Sequence, residues 1–149
     1  MNMRRLVFFA AFVFLAANFC MAQTKTAPVS DKANAQANKS SAAYAEVLLQ
    51  KTELSAELEN LLSDYTETYP KIKELRFEVG LLQKDLDKML AVADASKLTT
   101  PLGKLLVRRA ALATDAWSLR AQYSDESTEV KRAKRKVDIF DQAIREILP

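Results

Sequence analysis

The sequence predicts an all-α protein of helical hairpin repeats, forming an antiparallel coiled coil or a four-helix bundle. Three observations carry that prediction. Tyr44, Val47, Lys51, Leu54, Leu58, Leu61 and Tyr65 fall on alternating steps of three and four, the seam of a helix packed on another helix. The same steps recur 58 positions on (Tyr65 to Tyr123), as Leu102, Leu105, Arg109, Leu112, Ala116, Leu119 and Tyr123. A second run behaves alike: Ile72, Leu75, Val79, Leu82, Leu86 and Met89 return as Val130, Ala133, Val137, Phe140, Ile144 and Ile147. A fixed displacement of two seams describes a duplicated helical unit. Finally, the chain has only 2 glycines, Gly80 and Gly103, and β-rich patches are nearly absent from the helical runs.

Residues 1–22 read as a signal peptide. Arg4 and Arg5 precede the apolar run Leu6 to Phe19, and Cys20-Met21-Ala22 supplies small residues for cleavage before Gln23. The run is shorter than the roughly 20 residues that span a bilayer; the alternative is an uncleaved N-terminal anchor. The expected location is therefore exported, periplasmic or secreted. Removing Arg4 and Arg5 from the 22 basic residues leaves 20 against 19 acidic ones. The basic balance thus belongs largely to the leader and gives no warrant for a nucleic-acid partner. Cys20 is the one cysteine and leaves with the leader, so packing alone must stabilise the remainder.

Residues 23–42 are rich in Thr, Ala, Asn, Gln, Ser and Lys. They hold too little apolar surface to offset ordering entropy and are expected to form a flexible linker. Repeat 1 covers 43–92, a loop 93–100, and repeat 2 101–149. Within them, helices are predicted at Ala43–Tyr65, Pro70–Val92, Pro101–Tyr123 and Thr128–Leu148. Pro70 and Pro101 suit first-turn positions, and Thr100 is the expected N-cap of the third helix. Proline at 70 predicts a break there. Ser124 to Thr128 lacks proline, which predicts a bend; the alternative architecture is two long kinked helices in one hairpin. Gly80 costs about 1 kcal/mol within a helix unless a close packing contact requires it.

Leu48, Leu49, Leu81 and Leu90, with their counterparts Leu106, Val107, Ile139 and Leu148, widen the apolar stripe beyond a two-stranded coil. Residues 46–68 hold six acids and one base, whereas 101–123 hold four bases and one acid. Opposed charge predicts that the first helix lies beside the third, with Glu57 facing Arg108.

The composition narrows the chemistry. His is absent, and Cys is absent after cleavage, which removes the commonest nucleophile–base pairs and soft-metal ligands. No Gly-rich phosphate loop is present. The clusters Glu53/Glu57/Glu59 and Asp125/Glu126/Glu129 read as solvated surface. No catalytic, metal or cofactor-binding residue is assigned, and the chain is expected not to be an enzyme. Lys131, Arg132, Lys134, Arg135 and Lys136 form the densest basic run and are the candidate anion-binding residues, for acidic polymer or lipid headgroups. Acids along the same helix offset that charge. Lys51 and Arg109 occupy seam positions, where they extend charged tips to water or fix helix register. Phe77 and Trp117 lie off the seam and are the candidate partner-binding residues.

Leu58, Leu61, Tyr65, Pro70, Ile72, Leu75 and Val79 form a leucine-spaced helix, a tyrosine, a polar stretch, a proline and a second helix. On these residues, Leu54–Leu90 resembles the periplasmic coiled-coil element of polysaccharide chain-length-determinant (co-polymerase) proteins. The second repeat departs from that pattern, with Thr128 in place of the proline. The resemblance implies an envelope helical protein associated with polymer export or assembly. The expected function is structural or protein-binding, through helix contacts with an envelope protein or through self-association. A periplasmic holdase-type chaperone and an anionic polymer- or lipid-binding module are the alternatives.

Overall fold

The computed structural model describes residues 28–148. The predicted leader therefore lies outside the described residues. Among them, five α-helices follow in order: α1 (Pro28–Lys39), α2 (Ala42–Asp64), α3 (Pro70–Leu90), α4 (Thr100–Gln122) and α5 (Thr128–Ile147), with a 3-10 turn (Ala95–Lys97) before α4. The helices pack on one another, which gives the all-α bundle the seam spacing predicts.

Both hairpins turn through the same loop. Tyr65 and Tyr123 end their helices in matching extended conformations, at φ −128, ψ 155 and φ −128, ψ 156. Each donates its N–H four residues back, to Leu61 O and Leu119 O, at 2.8 Å. Within the loops, Tyr69 N bonds Thr66 O and Ser127 N bonds Ser124 O, both at 3.0 Å. An ion pair repeats as well. Arg76 meets Glu67 at 2.7 Å, and their counterparts Lys134 and Asp125 meet at 3.1 Å. The 58-residue displacement thus extends from apolar spacing to backbone and charge.

The second junction is a break, which corrects the expected bend. Different chemistry starts the two following helices. Pro70 opens α3, where a missing N–H leaves nothing unsatisfied. Ser127 caps α5 by accepting a 3.3 Å bond from Val130 N, the usual N-cap geometry. The N-cap of α4 is Thr99 rather than Thr100, and its side chain makes no capping bond.

The segment read as a linker is also corrected, since α1 occupies much of it. Asn38 near its C-terminus is buried, and its Nδ2 donates to Met89 O at 3.0 Å, Leu90 O at 3.3 Å and Val92 O at 2.8 Å. These carbonyls lie at and just beyond the end of α3, where the helix leaves acceptors free, although Met89 O also accepts from Val92 N at 3.2 Å; one amide thus ties α1 to the end of α3. Ser41 continues the clasp: its Oγ donates to Asn38 O at 2.7 Å and accepts from Tyr44 N at 3.3 Å. Composition registered the polarity of this segment but not the buried amide, whose Nδ2 makes these bonds while its Oδ1 has no partner among the described residues.

Helix α4 is central and packs against α2, α3 and α5, while α2 also packs on α3. The main core joins Ala43 and Val47 of α2, Leu82, Leu86 and Met89 of α3, Leu98, and Leu102, Leu106 and Ala110 of α4. Each buried Leu or Met there contributes about 1.5–3 kcal/mol. Helix α5 lies on α4 with Val130 its one fully buried residue.

The predicted neighbours α2 and α4 do meet, but not through charge. Among the described residues no ion pair joins them; Glu57 pairs instead with Lys71 of α3 at 3.6 Å. Their approach is set by Gly103, where a Cβ would stand 2.9 Å from Glu46 Cβ and 3.0 Å from Ala43 Cα. At Gly80 an added Cβ would meet nothing within 4 Å. The close glycine contact is therefore in α4, not α3.

Candidate functional site

Helices α3 and α5 both run antiparallel to α4 and barely touch each other. A groove results, with α4 as its floor and α3 and α5 as its walls. One end is a pocket of about 400 Å³ lined by Met89, Val92, Leu106, Ile144 and Leu148, with Asp85, Arg109, Asp141, Lys88 and Arg145. Farther along, a hollow of about 250 Å³ includes Phe77, Ala113, Ala116, Trp117 and Val137.

Arg109 rises from the floor between the two acidic walls. Its Nη2 donates to both Asp85 oxygens at 2.6 Å, and its Nε lies 3.6 Å from Asp141 Oδ1. The Asp85 side chain is 2% exposed and that of Arg109 14%. The guanidinium thus links three helices instead of reaching for water, which corrects the first expectation for Arg109. Lys51, its counterpart in α2, is half-buried. The linkage is not duplicated, because the positions matching Asp85 and Asp141 hold Ala143 and Gln83. Burial pushes the Asp85 carboxyl above the ordinary aspartate value, while the adjacent Arg109 charge opposes that rise. Arg109 Nε is buried with no hydrogen-bond partner among the described residues.

Asp85 and Asp141 were not singled out from sequence. A signal existed: Asp85 stands three after Leu82 and four before Met89, and Asp141 four after Val137 and three before Ile144. Acids at seam spacing, in a chain with a basic seam residue, are the trace that buried pairing leaves.

Phe77 and Trp117 come together. Their rings stack at 5.1 Å with an interplanar angle of 14°, joining α3 to α4, and both remain half-buried at the groove. The five candidate anion-binding residues of α5 are dispersed. Lys131 pairs with Glu126 at 2.6 Å and Lys134 with Asp125. Arg132 and Lys136 line a separate pocket of about 430 Å³ with Glu74, Asp115 and Glu129, and Arg135 is exposed. Among the described residues no cluster of three or more His, Cys, Asp or Glu is placed to hold a metal. No helix among them is long and apolar enough to cross a membrane.

Comparison of the chain with protein-family models, curated proteins and solved structures gives no match.

Proposed function

We propose that this chain is an exported, non-enzymatic helical protein of the cell envelope that binds a partner protein's amphipathic helix in the groove over α4. The observation that carries this reading is the separation of α3 from α5. It leaves apolar wall residues Val92, Val137, Ile144 and Leu148 half-buried beside the small floor residues Ala113 and Ala116. Helix-in-groove recognition needs an apolar trough with a floor low enough for close approach, bordered by charges that orient the guest. Lys88, Arg145 and Asp138 supply such charges at the rim. The leader-like N-terminus supports export. The resemblance of Leu54–Leu90 to the chain-length-determinant element supports a link to polysaccharide export or envelope assembly.

A holdase-type chaperone is the second reading, favoured by the half-buried Phe77 and Trp117 in the same trough. Affinity capture from envelope extracts separates the two. The docking reading expects one partner at fixed stoichiometry, lost when Ala113→Arg fills the floor while helicity is retained. Many unfolded clients, together with suppressed aggregation of a model substrate, would support the chaperone. Turnover of a substrate by the purified protein would overturn both.

A further inference from the structure

The outer faces of α2 and α5 carry a matched pattern. At about 100° per residue, Leu49, Glu53 and Ala56 lie on the side of α2 away from its buried Ala43 and Val47. On α5, Ile139 and Arg135 lie away from the buried Val130, with Arg132 beside them at the mouth of the pocket it shares with Glu74 and Asp115. All six are exposed, and Leu49 at 59% and Ile139 at 61% are the two most exposed large apolar residues described. From Leu49 the stripe advances by four and then three, to an acid and a small residue. From Ile139 it retreats by four and then three, to two arginines. Among the described residues, Glu53, Arg132 and Arg135 enter no ion pair.

We propose that the protein self-associates head to tail, the outer stripe of α2 in one copy docking antiparallel on the outer stripe of α5 in the next. In that register Leu49 packs on Ile139, Glu53 faces Arg135, and Ala56 leaves room for Arg132. Both stripes point away from their own core, so they meet only between molecules. The contact is heterologous. Helix α2 approaches α4 at Gly103, whereas α5 packs near Leu112, Ala116 and Leu119, about half a turn round α4. The two stripes therefore face opposite sides, and each added copy presents a fresh α2 or α5, which extends a row instead of closing a pair. This inference rests on the reading of the chain as one that acts by helix docking, but it uses a different surface from the groove.

The test is cysteine cross-linking in the full chain, with Cys20→Ser to leave only introduced thiols. Leu49→Cys with Ile139→Cys, oxidised in intact cells, is expected to give dimers, trimers and larger species, whereas either substitution alone has no thiol opposite it and should stay monomeric. Glu53→Cys with Arg135→Cys probes the same register without disturbing the apolar pair. Glu53→Arg in the Leu49/Ile139 pair background should reduce the ladder several-fold, and adding Arg135→Glu should restore it. No ladder from either pair, a ladder ending at dimer, or indifference to charge reversal overturns the proposal. A stoichiometric envelope partner captured alongside that failure would leave the groove reading standing. A ladder with no captured partner would retain self-docking alone.

Discussion

Arg109 concentrates the buried electrostatics in one side chain. Removing one member of a buried pair strands the other charge, so Arg109→Ala should cost about 3–5 kcal/mol in chemical denaturation. Replacing both partners, Asp85→Leu with Arg109→Met, should instead be neutral or stabilising by about 1–4 kcal/mol. That contrast would locate the pair's value in helix register, whereas equal losses would show net stabilisation. The two glycines make opposite forecasts in the same assay. Gly80→Ala meets open space and should gain about 0.5–1 kcal/mol from helix propensity. Gly103→Ala would press a methyl on the Ala43 backbone, where Ala43 O stands 3.1 Å from the added carbon. Overpacking of that kind costs about 1–3 kcal/mol, so the variant should be less stable.

At the scale of elements, the repeated loops permit an exchange of chemistry. Thr128 occupies the position that Pro70 holds in the first repeat, and Ser127 before it is already extended at φ −63, ψ 149. Proline there removes no helix bond and restricts the unfolded chain, so Thr128→Pro should stabilise by about 0.4–1 kcal/mol. A loss would mean that the two loops differ in a way their backbones do not display. The clasp on α1 makes the complementary forecast. Asn38→Ala removes the amide donor from the Leu90 and Val92 carbonyls, at a cost of about 1–3 kcal/mol, whereas Met89 O keeps its bond from Val92 N. Limited proteolysis should then cut within 28–41 sooner than within the hairpins.

Acid stability is a property of the whole molecule, because two sets of carboxylates oppose each other. Hydrogen bonding to Arg76 holds Glu67 below its ordinary value, bonding to Ser96 does so for Asp94, and bonding to Lys134 does so for Asp125. Their contributions are present above their unfolded values and are lost as pH falls through the lowered folded ones. Asp85 and Glu78 run the other way, since burial raises both above the ordinary values of 3.8 and 4.5. Their folded forms bind protons more tightly, so their contribution to stability grows as pH falls from the raised values toward the ordinary ones. The Asp85→Leu/Arg109→Met variant lacks part of that compensation and should lose stability more steeply on acidification. Denaturation midpoints measured from neutral pH downward would check the slope.

Much of the fold is local and was legible for that reason. Seam spacing depends on the helix period alone, so the four long helices stand within two residues of their expected bounds, and the duplication reappears in loop geometry. The placement of α2 beside α4 was also foreseen, although the warrant was charge and the cause is Gly103. What escaped involves partners distant in sequence. Asn38 looked like linker polarity because its three acceptors lie more than fifty residues away. Asp85 and Asp141 were not singled out because only the crossing of three helices places them around Arg109. Sequence by itself determined the helical class, the twofold repeat and the apolar faces, since periodicity is written within each segment. Tertiary structure alone decided that α5 lies on α4 apart from α3, opening the groove, because helix neighbours are chosen by side-chain volume and buried charge summed across elements.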